Sequence, residues 1–193
     1  MTIRENSSQP SYDRRTIFFH WLTVLLVALQ WLGAHTIDWF PRGALRGDAR
    51  SLHIVAGVAL GIVIAARLGW RWTKGRQLPH ADRGALQLAA RLVHGGLYVL
   101  LVAVVMLGLL NVWVRGDSLF GVFSIPKLAV ASKDLREQIQ ALHALAANAI
   151  LTVAALHSAA ALWHQYALRD GLLGRMIPLL ARDAAKGAQR DAA

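Results

Sequence analysis

The chain has 193 residues, of which 55% are hydrophobic and only 17% charged, with a formal net charge of +10. A soluble domain carries about 25% charged residues, and here the charges are bunched, leaving long uncharged runs. There is no cysteine, which excludes disulfides, iron–sulfur clusters, thioether-attached haem and thiolate zinc sites.

Residues 1–13 read as a polar N-terminal segment. Four apolar runs follow, Ile17–Ile37, Leu52–Trp70, Leu92–Val114 and Leu142–Leu162. Each matches the roughly 20 helical residues that cross a bilayer core of about 30 Å. Charges bound them: Arg14 and Arg15 before the first, Arg67 and Arg71 closing the second, Arg91 before the third, Arg169 and Asp170 after the fourth. Trp21, Trp39, Trp70, Trp72, Trp113 and Trp163 sit near the span ends, as an interfacial aromatic belt does. The expected fold is all-α, an integral membrane four-helix transmembrane bundle over residues 14–178. Residues 179–193 are expected as a polar tail without a fixed fold.

The first run follows a basic stretch, but it is long for a signal-peptide core, and Asp38-Trp39-Phe40-Pro41 follows it without a small-residue cleavage site. It is expected to stay as a signal anchor. Between the spans lie a short, turn-rich outer loop (Asp38–Ser51), an inner loop (Thr73–Gly84) and a longer outer loop (Arg115–Gln140). The last contains a charged stretch, Lys133–Gln138, expected as an interfacial helix.

The termini and the inner loop carry 14 of the 21 Lys and Arg residues, against 7 in the two outer loops. The positive-inside bias places both termini in the cytoplasm. The same bias accounts for the net charge without nucleic acid as a partner.

The eight histidines are His20, His35, His53, His80, His94, His143, His157 and His164. His80 lies in the inner loop and reads as solvated; the others lie in or beside spans, where an ionisable group is a functional candidate by default. His143 and His157 are 14 residues apart, which returns the helix to within about 40° while advancing about 21 Å. One helix face thus offers an imidazole near each membrane surface, which suits two stacked haems; two hydrogen-bonded packing histidines would show the same spacing. By depth, His20 opposes His157 on the inner side and His53 opposes His143 on the outer side. His35 competes for the outer site, with an interfacial role as its simpler reading. His94 is left without a partner, free to meet a haem propionate or another helix.

His164 lies seven residues beyond His157, about 10 Å further inward, where a quinone head group or plain interfacial solvation would each suit it. Gly57, Gly61 and the alanines of the fourth span make room for a planar cofactor or for close helix packing. Zinc is the other metal imidazoles suggest. Paired imidazoles at two depths, with no carboxylate in any span core, fit haem better.

Over about Tyr12 to Pro178 the chain resembles the bacterial cytochrome b561 family. The matching motifs are R-x-x-x-F-H-W (Arg15–Trp21), L-H-x-x-x-G (Leu52–Gly57), R-L-x-x-R (Arg67–Arg71) and H-x-x-L-Y (His94–Tyr98). To these are added R-G…F-G…I-P (Arg115 to Pro126), L-H-x-x-x-A-N (Leu142–Asn148) and the long run from Leu156 to Pro178. The resemblance implies four haem-iron axial ligands at His20, His53, His143 and His157, two haem b groups, and a multi-pass place in the bacterial inner membrane. His35 has no counterpart in the family.

One branch of the family is a superoxide oxidase that passes electrons from superoxide to ubiquinone. His164 matches a family position near the quinone, although the family often has two adjacent histidines where this chain has His164-Gln165. Another branch supplies cytochrome b subunits to hydrogenases and other dehydrogenases. On this reading Arg115 and Lys127 attract an anionic donor, and Arg67, Arg71 and Arg91 neutralise propionates or lipid head groups.

Overall fold

The computed structural model describes residues 11–76, 78–79, 84–128 and 132–179. His80 and most of the C-terminal tail lie outside them. Four helices dominate: α1 (Arg14–Thr36), α2 (Ala44–Thr73), α3 (Gly84–Arg115) and α4 (Lys133–Trp163). All four are long and apolar enough to cross a membrane.

Local chemistry fixes the helix starts. Asp13 caps α1 by accepting from Thr16 N at 2.9 Å, and Ser132 caps α4 by accepting from Leu135 N at 3.1 Å. Unpaired first-turn N–H groups make such caps worth about 1 kcal/mol each.

The helices outrun the apolar spans. α4 has 31 residues, about 46 Å of helix against a core of roughly 30 Å. The stretch Lys133–Gln138 is therefore no separate interfacial helix but the first turns of α4, braced by Lys133 and Glu137 at 3.6 Å. Likewise α2 starts at Ala44, inside the expected first outer loop. Backbone hydrogen bonding does not stop at the water interface; only the hydropathy changes there.

The connection after α3 begins with a small antiparallel hairpin, β1 (Ser118–Leu119) with β2 (Phe123–Ser124). Ser51 Oγ, buried on α2, accepts from Phe120 N at 2.9 Å and ties the hairpin down. Gly116 takes φ +67°, and a Cβ there would stand 2.7 Å from Lys127 Cβ, so only glycine lets the loop close.

Packing follows chain order, α1 on α2, α2 on α3 and α3 on α4. Leu60, Ile64, Leu101, Val104 and Ile150 form the core at mid-height. Outward side chains are large and apolar, with Ile62 66% and Val99 68% exposed. Water would penalise such a surface, whereas lipid tails do not.

Candidate functional site

On the side of the aliphatic core nearer the α1–α2 connection, His53 from α2 and His143 from α4 face each other with ring centres 6.3 Å apart and planes at 81°. An imidazole nitrogen binds a first-row metal at about 2 Å and lies about 1 Å from its own ring centre, so two rings sharing one metal have centres roughly 6 Å apart. His143 donates Nδ1–H to Val104 O at 3.0 Å, which leaves Nε2 for a metal in the way ligating histidines are usually oriented. Gly108 on α3 makes room, since a Cβ there would lie 3.1 Å from His143 Cε1.

A cavity of about 400 Å³ opens beside this pair, reached by residues of all four helices. Two buried polar atoms on its wall, His53 Nδ1 and Asn111 Oδ1, have no hydrogen-bond partner among the described residues. Buried polar groups are ordinarily paired, so these two mark a place where a further polar group belongs. The donor set, spacing and orphaned atoms fit a bis-imidazole haem.

Around the cavity, Gln30 Nε2 donates to His53 O at 2.9 Å, and Trp31 Nε1 donates to Asn148 Oδ1 at 3.0 Å. His35 also lines the cavity but stacks on Trp31, with centres 4.0 Å apart, and donates Nδ1–H to Trp31 O. At the mouth, Arg50 and Arg115 share Asp117 at 3.7 and 3.5 Å. Lys127 does not line the cavity; its Cβ packs beside Gly116 instead.

On the opposite side of the core, towards the start of α1, a second histidine layer gathers. His20 accepts from Arg67 Nη2 at 3.2 Å, and its electrostatic neighbours are Arg67, His157 and His94. His94, expected to lack a partner, packs its ring against His157 with centres 5.0 Å apart and donates to Ala90 O. Arg67 also lies over the Tyr98 ring. Nitrogen donors beside a guanidinium are the chemistry a haem with its propionates requires. His20 and His157 thus share a layer, but the ring touching His157 belongs to His94.

Of the glycines read as room for a cofactor or for close helix packing, both Gly57 and Gly61 are approached by neighbouring side chains, and Gly57 also lines the cavity. A Cβ at Gly57 would meet Gln30 Nε2 at 2.8 Å, and one at Gly61 would meet Val105 Cγ1 at 3.0 Å. Two of the belt tryptophans have protein partners: Trp21 Nε1 donates to Met176 O and Trp70 Nε1 to Asp13 Oδ1. Gln30, Asn111 and Asn148 were missed from sequence, although uncharged polar residues inside apolar spans were a signal available for them.

His164 closes α4 and opens a short π-helical turn, His164–Leu168. Its Nδ1 lies 2.5 Å from Asp170 Oδ2.

The sequence profile of prokaryotic cytochrome b561 matches residues 11–179. The chain belongs to that family. It is 30% identical over 171 residues to the "Probable superoxide oxidase CybB" of Yersinia pestis, covering 86% of this chain and 96% of that protein. It is 28% identical to "Cytochrome b561 homolog 1" of Escherichia coli, covering 86% and 97%, and 30% identical to "Cytochrome b562" of Cereibacter sphaeroides, covering 89% and 98%. This cytochrome is therefore a haem-binding, multi-pass electron carrier of the bacterial inner membrane, with two histidine layers in its bundle.

Proposed function

We propose that the protein is a di-haem b cytochrome that carries single electrons from superoxide at the periplasmic face to ubiquinone near the cytoplasmic face. The observation that carries the reading is the pair of histidine layers, His53 with His143 outside and His20, His94 and His157 inside, separated by the aliphatic core. The similarity to a protein named a probable superoxide oxidase supports the choice of donor.

His53 and His143 would hold the outer haem, and His20 and His157 the inner one. A haem held by such histidine pairs would supply one-electron outer-sphere chemistry. The residues of the chain do the rest. Val104 O fixes the tautomer of His143. Arg50 and Arg115 share Asp117, and Asp38 on the same lining pairs with Arg46, so three guanidinium groups meet two carboxylates and the net positive charge draws an anionic donor. Superoxide gives up one electron and leaves as dioxygen. Two such electrons and two protons convert ubiquinone to ubiquinol, with His164 as the residue that meets the quinone.

The test is superoxide-driven reduction of a soluble ubiquinone analogue by the isolated chain. Turnover that superoxide dismutase abolishes supports the reading. Full haem loading without such turnover would instead indicate a cytochrome b subunit that serves a partner dehydrogenase or hydrogenase.

A further inference from the structure

Gln30 is an uncharged polar residue in the apolar run of α1, and it reaches α2 at the turn that carries His53. Its Nε2 donates to His53 O at 2.9 Å. In a regular helix that carbonyl also accepts from Gly57 N, and its second lone pair is free for the amide. Gly57 permits the approach, because a Cβ there would stand 2.8 Å from Gln30 Nε2. Gln30, His53 and Gly57 all line the cavity.

The two imidazoles of this pair are backed differently. His143 gives Nδ1–H to Val104 O at 3.0 Å, whereas His53 Nδ1 is buried without a hydrogen-bond partner among the described residues. A histidine that binds metal through Nε2 keeps its proton on Nδ1 and hands it to an acceptor. The main chain of Gln30 faces the His53 ring from α1, so its carbonyl is the group at hand for that proton.

We infer that Gln30 is a positioning residue for the outer iron ligand: its side-chain amide holds the His53 backbone, which seats the His53 ring by Nδ1 against α1 and leaves Nε2 for the haem iron. The inference rests on the proposed function, in which His53 and His143 hold the outer haem. Removing the amide strands no acceptor, because His53 O keeps its helix bond, so the loss falls on the ligand and not on the fold. An imidazole whose N–H loses its acceptor is a weaker electron donor. Ferric haem is then stabilised less, and the potential rises.

The experiment uses the full, haem-loaded chain in detergent, titrated spectroelectrochemically through both haems. Gln30→Met removes the donor and keeps an unbranched side chain of similar length. Gly57→Ala keeps Gln30 but pushes its Nε2, the far end of a flexible side chain, off the carbonyl. Each variant should keep two haems and its helix content by circular dichroism. In each, one of the two potentials should rise, and that haem should pass to excess apomyoglobin about tenfold faster. The double variant should shift no further than Gln30→Met alone, because both changes break the same contact. In a His143→Ala background, where only the inner haem remains, Gln30→Met should leave the remaining potential unchanged.

Unchanged potentials in Gln30→Met or in Gly57→Ala would overturn this inference and leave the proposed function standing. A Gly57→Ala shift that persists in full on the Gln30→Met background would also overturn it, since the new methyl would then act on the haem itself. Loss of helix content in both variants would reduce Gln30 to a packing residue. If only Gln30→Met fails to fold, the potential of Gly57→Ala decides. Two haems retained in His143→Ala would instead remove the outer pairing on which the inference rests.

Discussion

His53 and His143 meet edge to face across the outer cavity, with ring centres 6.3 Å apart, and they come from helices separated in the sequence by all of α3. A spacing suited to one shared metal, built from α2 and α4, predicts the behaviour of single variants. His143→Ala should leave about one haem per chain in a pyridine haemochrome measurement, against two in the wild type. Two haems in the variant, with unchanged spectra, would disprove the outer pairing.

The inner layer poses a choice that ring contacts alone favour differently from the family motifs. His157 touches His94, whereas the motif match assigns His20. His20→Ala is expected to lose the inner haem, and His94→Ala to retain both with a shifted potential. The reverse result would make His94 the ligand and His20 the Arg67-bound bystander.

Gly108 should behave as part of the outer site although it carries no side chain. A β-branched residue there must displace the His143 ring, whose Cε1 would lie 3.1 Å from the new Cβ. Gly108→Val is expected to lower haem content toward one per chain while the four helices persist by circular dichroism. Full haem content would show that the ring moves without loss of ligation.

Topology is testable independently of haem. A reporter fused after Gly187 should read as cytoplasmic and one inserted at Ser132 as periplasmic, following the 14-to-7 division of basic residues. The opposite pattern would reverse the direction of electron flow proposed above.

Asp13 links pH to the stability of the inner face. Burial opposes its ionisation, but Thr16, Arg76 N and Trp70 all donate to it and hold its carboxyl well below the usual range. A depressed folded-state pKa gives stability that is present above the unfolded value near 4 and fades as pH falls below it. Asp13→Ala should lower stability in detergent by roughly 1–2 kcal/mol at pH 7, as loss of a cap does. The gap to wild type should narrow on acidification toward pH 3. A gap constant with pH would mean the carboxylate charge contributes nothing.

The sequence by itself determined the class of this protein and the chemistry it holds. Four apolar runs of membrane length, basic residues on alternate loops and histidines 14 residues apart on one span are local, one-dimensional signals. Lipid and helix geometry read them directly, because a spanning backbone must satisfy its own hydrogen bonds and a helix repeats its faces by rule. Depth pairing even brought His53 to His143 without any contact information.

Tertiary packing alone decided which neighbours complete each layer. Depth gives height along a helix but not rotation or tilt, so nothing in the spacing could bring His94 to His157. Gly57 and Gly61 were open to a cofactor or to close helix packing, and only the fold shows that Gln30 and Val105 approach them while Gly57 also lines the cavity. The clasp of Asp170 on His164 depends on one left-handed residue, Arg169. Propensity disfavours that conformation, so only the closed turn reveals it.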